Sequence, residues 1–264
     1  MTIMPAVFVS HGAPTFALEP GLAGRQLAML GQALETPSAI VVFSPHWMTQ
    51  GVRMTATCHP ETIHDFSGFA RELYSLKYPA PGNPALAAQI AALLEAKGIT
   101  AEIDERRGLD HGAWVPLMHM FPEADIPVVQ VSIPFDANER QSFELGQALA
   151  SLGQQGILVI GSGSLTHNLY EFRTTADAAQ TYVLEFTQWI RRAVIEADVS
   201  RLVQALELAP HAARAHPTTE HYLPLLIAAG AASRLVPSTV LDGGVYHGML
   251  AMESYVFGQQ LVLE

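Results

Sequence analysis

Eleven histidines are spread over the 264 residues, and four of them stand where a side chain can be aimed into a cleft. His11 follows an apolar run in P-A-V-F-V-S-H-G (5–12), and His46 does the same in A-I-V-V-F-S-P-H-W (39–47). The run 40–43 has the length and β-branching of a strand buried on both faces. Pro45 is expected to end that strand, because proline cannot continue a ladder, so His46 arrives just past a carboxyl end. His167 follows a third apolar run, 157–160, through G-S-G-S-L-T-H-N (161–168). His221 opens a helix after the proline-bearing approach H-P-T-T-E-H (216–221). Ligands in open α/β sheets bind beyond the carboxyl ends of the strands, and neutral imidazole suits zinc and non-haem iron. The chemistry these residues point to is a metal site in one crevice.

Each histidine taken alone fits a surface or hydrogen-bonded core position equally well, so the weight lies in their shared placement. Glu220 beside His221 is accounted for by the preference for acids at helix N-termini. Neighbours on a helix point about 100° apart, so one of the pair is expected to face a metal, and His221 is the choice. His111, in a glycine-bounded turn (108–112), suits a supporting or acid role. His64, with Asp65, lies on a long loop and could touch substrate. His119 on an apolar helix reads as packed, His216 as a supporting group or nothing, and His59, His211 and His247 carry no signal. Gly161-Ser162-Gly163-Ser164 has the composition of a phosphate-cradling loop, but no Lys follows and the spacing is wrong for a P-loop. H-E-x-x-H, C-x-x-C and G-x-S-x-G do not occur.

A chain of this length buries roughly 70–75% of its unfolded surface, so its core needs no disulfide. Cys58 is the single cysteine, which excludes an internal bridge and fits a reducing, cytoplasmic setting. A formal charge of −11 argues against nucleic acid, whose phosphates require clustered Lys and Arg. No apolar run reaches the ~20 residues of a membrane span, and no basic segment precedes a leader-like stretch. Strands are expected at 6–10, 40–43, 99–103, 128–133, 157–160, 234–240 and 251–257. Helices are expected at 21–34, 69–74, 84–97, 114–121, 139–152, 178–197, to about 208, and 222–229. Asn83 is a good N-cap with Pro84 where proline is tolerated, and the stretch 49–68 reads as loop. This alternation predicts one α/β domain over 1–264, a three-layer α/β/α sandwich around a mixed, mostly parallel sheet.

The segments P-A-V-F-V-S-H-G-A-P (5–14), A-I-V-V-F-S-P-H-W (39–47), T-I-H-D-F-S-G-F (62–69), Y-P-A-P-G (78–82), L-D-H-G-A-W (109–114), A-D-I-P-V-V-Q-V-S-I (124–133), G-S-G-S-L-T-H-N-L (161–169) and H-P-T-T-E-H-Y-L-P-L-L (216–226) together resemble the class III extradiol ring-cleavage dioxygenases. The likeness is to the branch similar to DOPA 4,5-dioxygenase and runs through most of the chain. It implies a mononuclear metal held by His11, His46 and His221, with His167 as the active-site base or a fourth ligand. His111 would donate a proton or bind dioxygen or substrate. His64, Phe66, Trp114, Tyr222 and Trp47 are candidates for the substrate pocket. Better-known members bind iron through two histidines and a glutamate; a third histidine here departs from that set, and an all-histidine set is as comfortable with Zn(II) as with Fe(II). The implied substrates are a small aromatic diol and O2, the working ion Fe(II), and the product a ring-opened semialdehyde. Zinc-dependent hydrolysis on the same scaffold, or a silent metal- or small-molecule-binding protein, stand as rivals. Whether copies of the chain associate is left open.

Overall fold

Ten strands and nine α-helices occur among the residues described by the computed structural model, 3–172, 179–233 and 238–261. The strands are β1 (Ala6–Ser10), β2 (Ala39–Thr49), β3 (Val52–Thr55), β4 (Ala101–Asp104), β5 (Val128–Pro134), β6 (Ile157–Gly163), β7 (Thr239–Leu241), β8 (Val245–Tyr246), β9 (Leu250–Ala251) and β10 (Ser254–Phe257). The helices are α1 (Gly21–Ala33), α2 (Pro84–Glu95), α3 (His111–Met120), α4 (Glu139–Ala148), α5 (Thr181–Ile195), α6 (Val199–Val203), α7 (Ala205–Leu208), α8 (Ala212–Ala215) and α9 (Leu223–Ala231). Eight strands form one sheet in the order β4-β3-β5-β2-β6-β1-β10-β7. The central β5-β2-β6-β1 block is parallel throughout, while β10 and β3 flank it antiparallel. The small pair β8-β9 stands apart.

Period-two alternation divides the central strands between two cores. Ile40, Val42, Leu158 and Ile160 face the layer holding Leu27 and Leu30 of α1 and Trp114 and Leu117 of α3. Val41, Phe43, Val129, Val131 and Val159 face Ile90 and Leu94 of α2, Leu145 of α4 and Ile227 of α9. The result is a mixed, mostly parallel sheet between two helical layers. No described helix is long and apolar enough to cross a membrane.

Pro45 does not end its strand. Pairing with β6 stops at Phe43–Gly161, and on the other side the register against β5 jumps from Phe43–Val131 to Met48–Ile133. The strand bulges through 44–47, where a missing N–H costs no ladder bond, and His46 rides on that bulge. Within 49–68, read as loop, the short strand β3 adds to the sheet. Helix α3 begins at His111 rather than 114, because Asp110 caps it by accepting from Ala113 N–H at 3.3 Å. Helix α4 stops at Ala148, and 150–155 continue as a 3₁₀ turn. Asn83 caps α2 through Leu86 N–H. The start of the helix expected at 178 and part of the strand expected at 234–240 lie outside the described residues.

Candidate active site

The carboxyl-terminal parts of β1, β2 and β6, the start of α3 and the turn leading into α9 meet at one edge of the sheet, and each brings a histidine. His11 is held just beyond β1 by its backbone N–H donating to Gly163 O at 2.9 Å. One ring-nitrogen from each of His11, His46 and His221 lies within 4.8 Å of the other two. His11 Nε2 and His46 Nε2 are 3.1 Å apart. Two nitrogens each about 2.1 Å from one ion, at angles between octahedral and tetrahedral, stand roughly 3.0–3.4 Å apart.

The surrounding bonds fix which nitrogens carry hydrogen. Ser162 Oγ donates to the Gly112 carbonyl, so toward His11 Nδ1, 2.9 Å away, it acts as acceptor and Nδ1 must be the donor. Gly112 O is free to take that bond because Pro116, four residues on inside α3, has no N–H to give it. At His221, Nδ1 donates to Glu220 Oε1 at 3.1 Å, and Nε2 is buried without a hydrogen-bond partner. His11 and His221 thus expose lone pairs at Nε2. Nε2 of His221 is left without a partner and Nε2 of His11 meets only His46 Nε2, so both lone pairs are available to a cation. Burial, then the neighbouring imidazoles, pushes His11 and His221 well below the ordinary histidine range. His46 falls to about 3 for the same reasons, burial first and His111 next. All three are therefore neutral at pH 7, the form in which imidazole binds metal. The donor set fits a divalent transition ion.

Around this trio the other histidines take distinct stations. His167 lies flat on His221, ring centroids 3.4 Å apart and planes 10° apart, its backbone N–H held by Ala215 O at 2.8 Å. Burial lowers its pKa, with Glu220 opposing. His111 sits 4.0 Å from His46, centroid to centroid. His64, Phe66 and Trp114 form an aromatic cluster with Tyr74, and Phe66 stands 5.6 Å from the His111 ring. Trp114 is fully buried and donates to Ile63 O at 2.9 Å, so it backs the wall while Phe66 faces outward. Tyr222, expected in the pocket, is not there. Its ring is buried and its hydroxyl donates to Leu202 O at 2.7 Å, because the turn that points His221 at the cleft points its neighbour into the core. Trp47 packs under Arg107, 5.0 Å away. His119 bonds Phe16 O and His216 bonds Leu165 O.

Residues 25–258 match the catalytic LigB subunit of aromatic ring-opening dioxygenases. The chain belongs to that family. This LigB-family chain is 39% identical over 260 residues to the 4,5-DOPA dioxygenase extradiol of Escherichia coli (strain K12), spanning 97% of this chain and 96% of that protein. The protein of the same name from Beta vulgaris is 37% identical over 259 residues, 97% of each. An uncharacterized protein from Escherichia coli K12, known from its crystal structure, shares the fold with a TM-score of 0.79 at 34% identity, covering 97% of this chain and 100% of that one. This LigB-family enzyme is an extradiol aromatic ring-opening dioxygenase.

Three contributors were not singled out from sequence as parts of the site. In the sequence Ser162 is masked by a glycine-rich motif, the helix dipole alone accounts for Glu220, and Asp65 reads only as a loop acid. The glycines of that motif now have a reason. A Cβ on Gly161 would meet Pro224 O at 1.9 Å, and one on Gly163 would meet His221 O at 2.3 Å. They let the first turn of α9 rest on β6, which sets the height of His221. Gly163→Ala is expected to lower stability by about 1–3 kcal/mol and to weaken metal retention, read as a lower urea midpoint and a lower metal-to-protein ratio.

Proposed function

We propose that the enzyme is an iron-dependent extradiol dioxygenase acting on a small catechol, DOPA-like or a related aromatic diol. The observation that carries this is the convergence of His11, His46 and His221, with Nδ1 of His11 and of His221 tied back to Ser162 and Glu220. These three would hold the ion. When bound, Fe(II) supplies a Lewis-acidic centre that lowers the catechol pKa and brings O2 and the ring together. His167, neutral at pH 7, takes the proton that the substrate hydroxyl releases, a task matched to imidazole. His111, beside His46 and Phe66, hydrogen-bonds the substrate or dioxygen. Phe66, with His64 and Trp114 behind it, offers an apolar wall to the ring and limits water at the cleavage site. The names of the relatives favour a DOPA-like substituent on the ring.

The donor set also suits Zn(II), so the ion recovered with the protein need not be the ion that works. The test is an oxygen-electrode trace on protein stripped of metal and reloaded anaerobically with Fe(II), or with Zn(II), against a panel of catechols that includes DOPA. Oxygen uptake with a yellow semialdehyde product in the Fe(II) sample, and none with Zn(II), is the expected result. No uptake with any catechol after Fe(II) loading would overturn it. An oxygen-independent hydrolysis by the Zn(II) form would establish the rival chemistry instead.

A further inference from the structure

We propose that Asp65 is a positioning residue that fixes the tautomer of His111 and so makes His111 Nε2 an acceptor for a substrate hydroxyl. The inference rests on the placement of His111 at the reacting site and chooses between the two partners left open for it.

The geometry is specific. Asp65 Oδ1 accepts the His111 backbone N–H at 2.8 Å, and Oδ2 accepts from His111 Nδ1 at 2.8 Å. Both oxygens of one carboxylate are therefore spent on one residue, fixing the main chain and the ring plane together. An ionised carboxylate can only accept. Nδ1 must then carry the hydrogen, and the neutral ring presents its lone pair at Nε2. Asp65 is well placed to remain ionised, since it lies at the N-terminus of α3, where backbone N–H groups favour negative charge. Its contact with His46 Nδ1, at 3.7 Å, is too long for a hydrogen bond, so His111 holds the carboxylate without a rival. The His111 ring itself stands between His46 and Phe66 and meets His11 edge-on at 5.5 Å. It thus lies between the candidate metal ligands and the aromatic wall. An acceptor in that position suits a catechol O–H; dioxygen has no hydrogen to give it.

Asp65→Asn tests this with little change of shape. Its carbonyl oxygen can keep the backbone bond, but its NH₂ group faces Nδ1 and demands an acceptor there, which drives the hydrogen to Nε2. Long-range ¹H–¹⁵N NMR on the diamagnetic Zn(II) form should show His111 hydrogenated at Nδ1 in the wild type and at Nε2 in the variant. In the Fe(II) form, kcat should fall about 10²- to 10⁴-fold, with KM moving less than about threefold and metal content unchanged. Asp65→Glu should recover part of the loss. A wild-type His111 hydrogenated at Nε2, or an Asp65→Asn enzyme with kcat within about threefold of wild type, would overturn the proposal. Loss of metal in Asp65→Asn would also overturn it, by showing that Asp65 acts through His46. His111→Ala at full kcat would overturn the role given to His111, an outcome the NMR signal keeps separate from the tautomer itself.

Discussion

His11→Ala is expected to abolish ring cleavage and tight metal binding together while leaving the metal-free chain folded. His11 is buried at the end of β1, its Nδ1 tied to Ser162 and its Nε2 3.1 Å from His46 Nε2. Loss of a group that merely orients a ligand costs 10–100-fold in metal affinity, so loss of a ligand should cost more than about 100-fold. The fold should tolerate the change, because the bond from the backbone N–H of residue 11 to Gly163 O, which holds this end of β1, does not involve the side chain. Linkage supplies a second measurement. A metal present at about a thousandfold over its Kd stabilises the native state by about 4 kcal/mol. The wild-type unfolding midpoint should therefore rise on metal addition, and that of His11→Ala should stay where it was. An active, metal-replete His11→Ala enzyme would remove the basis for the three-histidine site.

His167→Asn should separate chemistry from binding. Its ring lies flat on His221 rather than beside it, and burial keeps it neutral at pH 7. That arrangement suits a proton acceptor standing over the substrate. The variant should bind metal at the wild-type ratio and keep KM, while kcat drops about 10²- to 10⁴-fold, the usual weight of a general base. Metal analysis and steady-state kinetics on the same preparation decide the matter. If metal is lost along with activity, His167 is a fourth ligand and the base lies elsewhere.

The layered fold was legible in the sequence because burial imposes period. Apolar runs such as 40–43 and 157–160 are continuous where both faces of the sheet are covered, and Asn83-Pro84 announces the start of α2 by local bonding alone. The histidines after β1 and β6 are legible for the same reason, since a strand end in a parallel sheet is a predictable place, whereas His46 reaches the same edge on a bulge inside β2. Pro45 departs from its expected role because whether a missing N–H matters depends on what lies alongside, and β6 has already parted from β2 there. Tyr222 departs from its expected place because, in the turn before α9, adjacent side chains point one to the cleft and the next to the core.

Sequence by itself therefore determined the class of fold, the supply of imidazoles and the edge of the sheet where they would gather. Tertiary structure alone decided the hydrogen-bond partners that orient them: Ser162 from β6 reaching His11, Glu220 turning back on His221, and Asp65 crossing from the loop to His111, 46 residues away. Period and propensity act over a few neighbours along the chain, whereas a hydrogen bond selects whatever folding brings within about 3 Å, and no local pattern records that meeting.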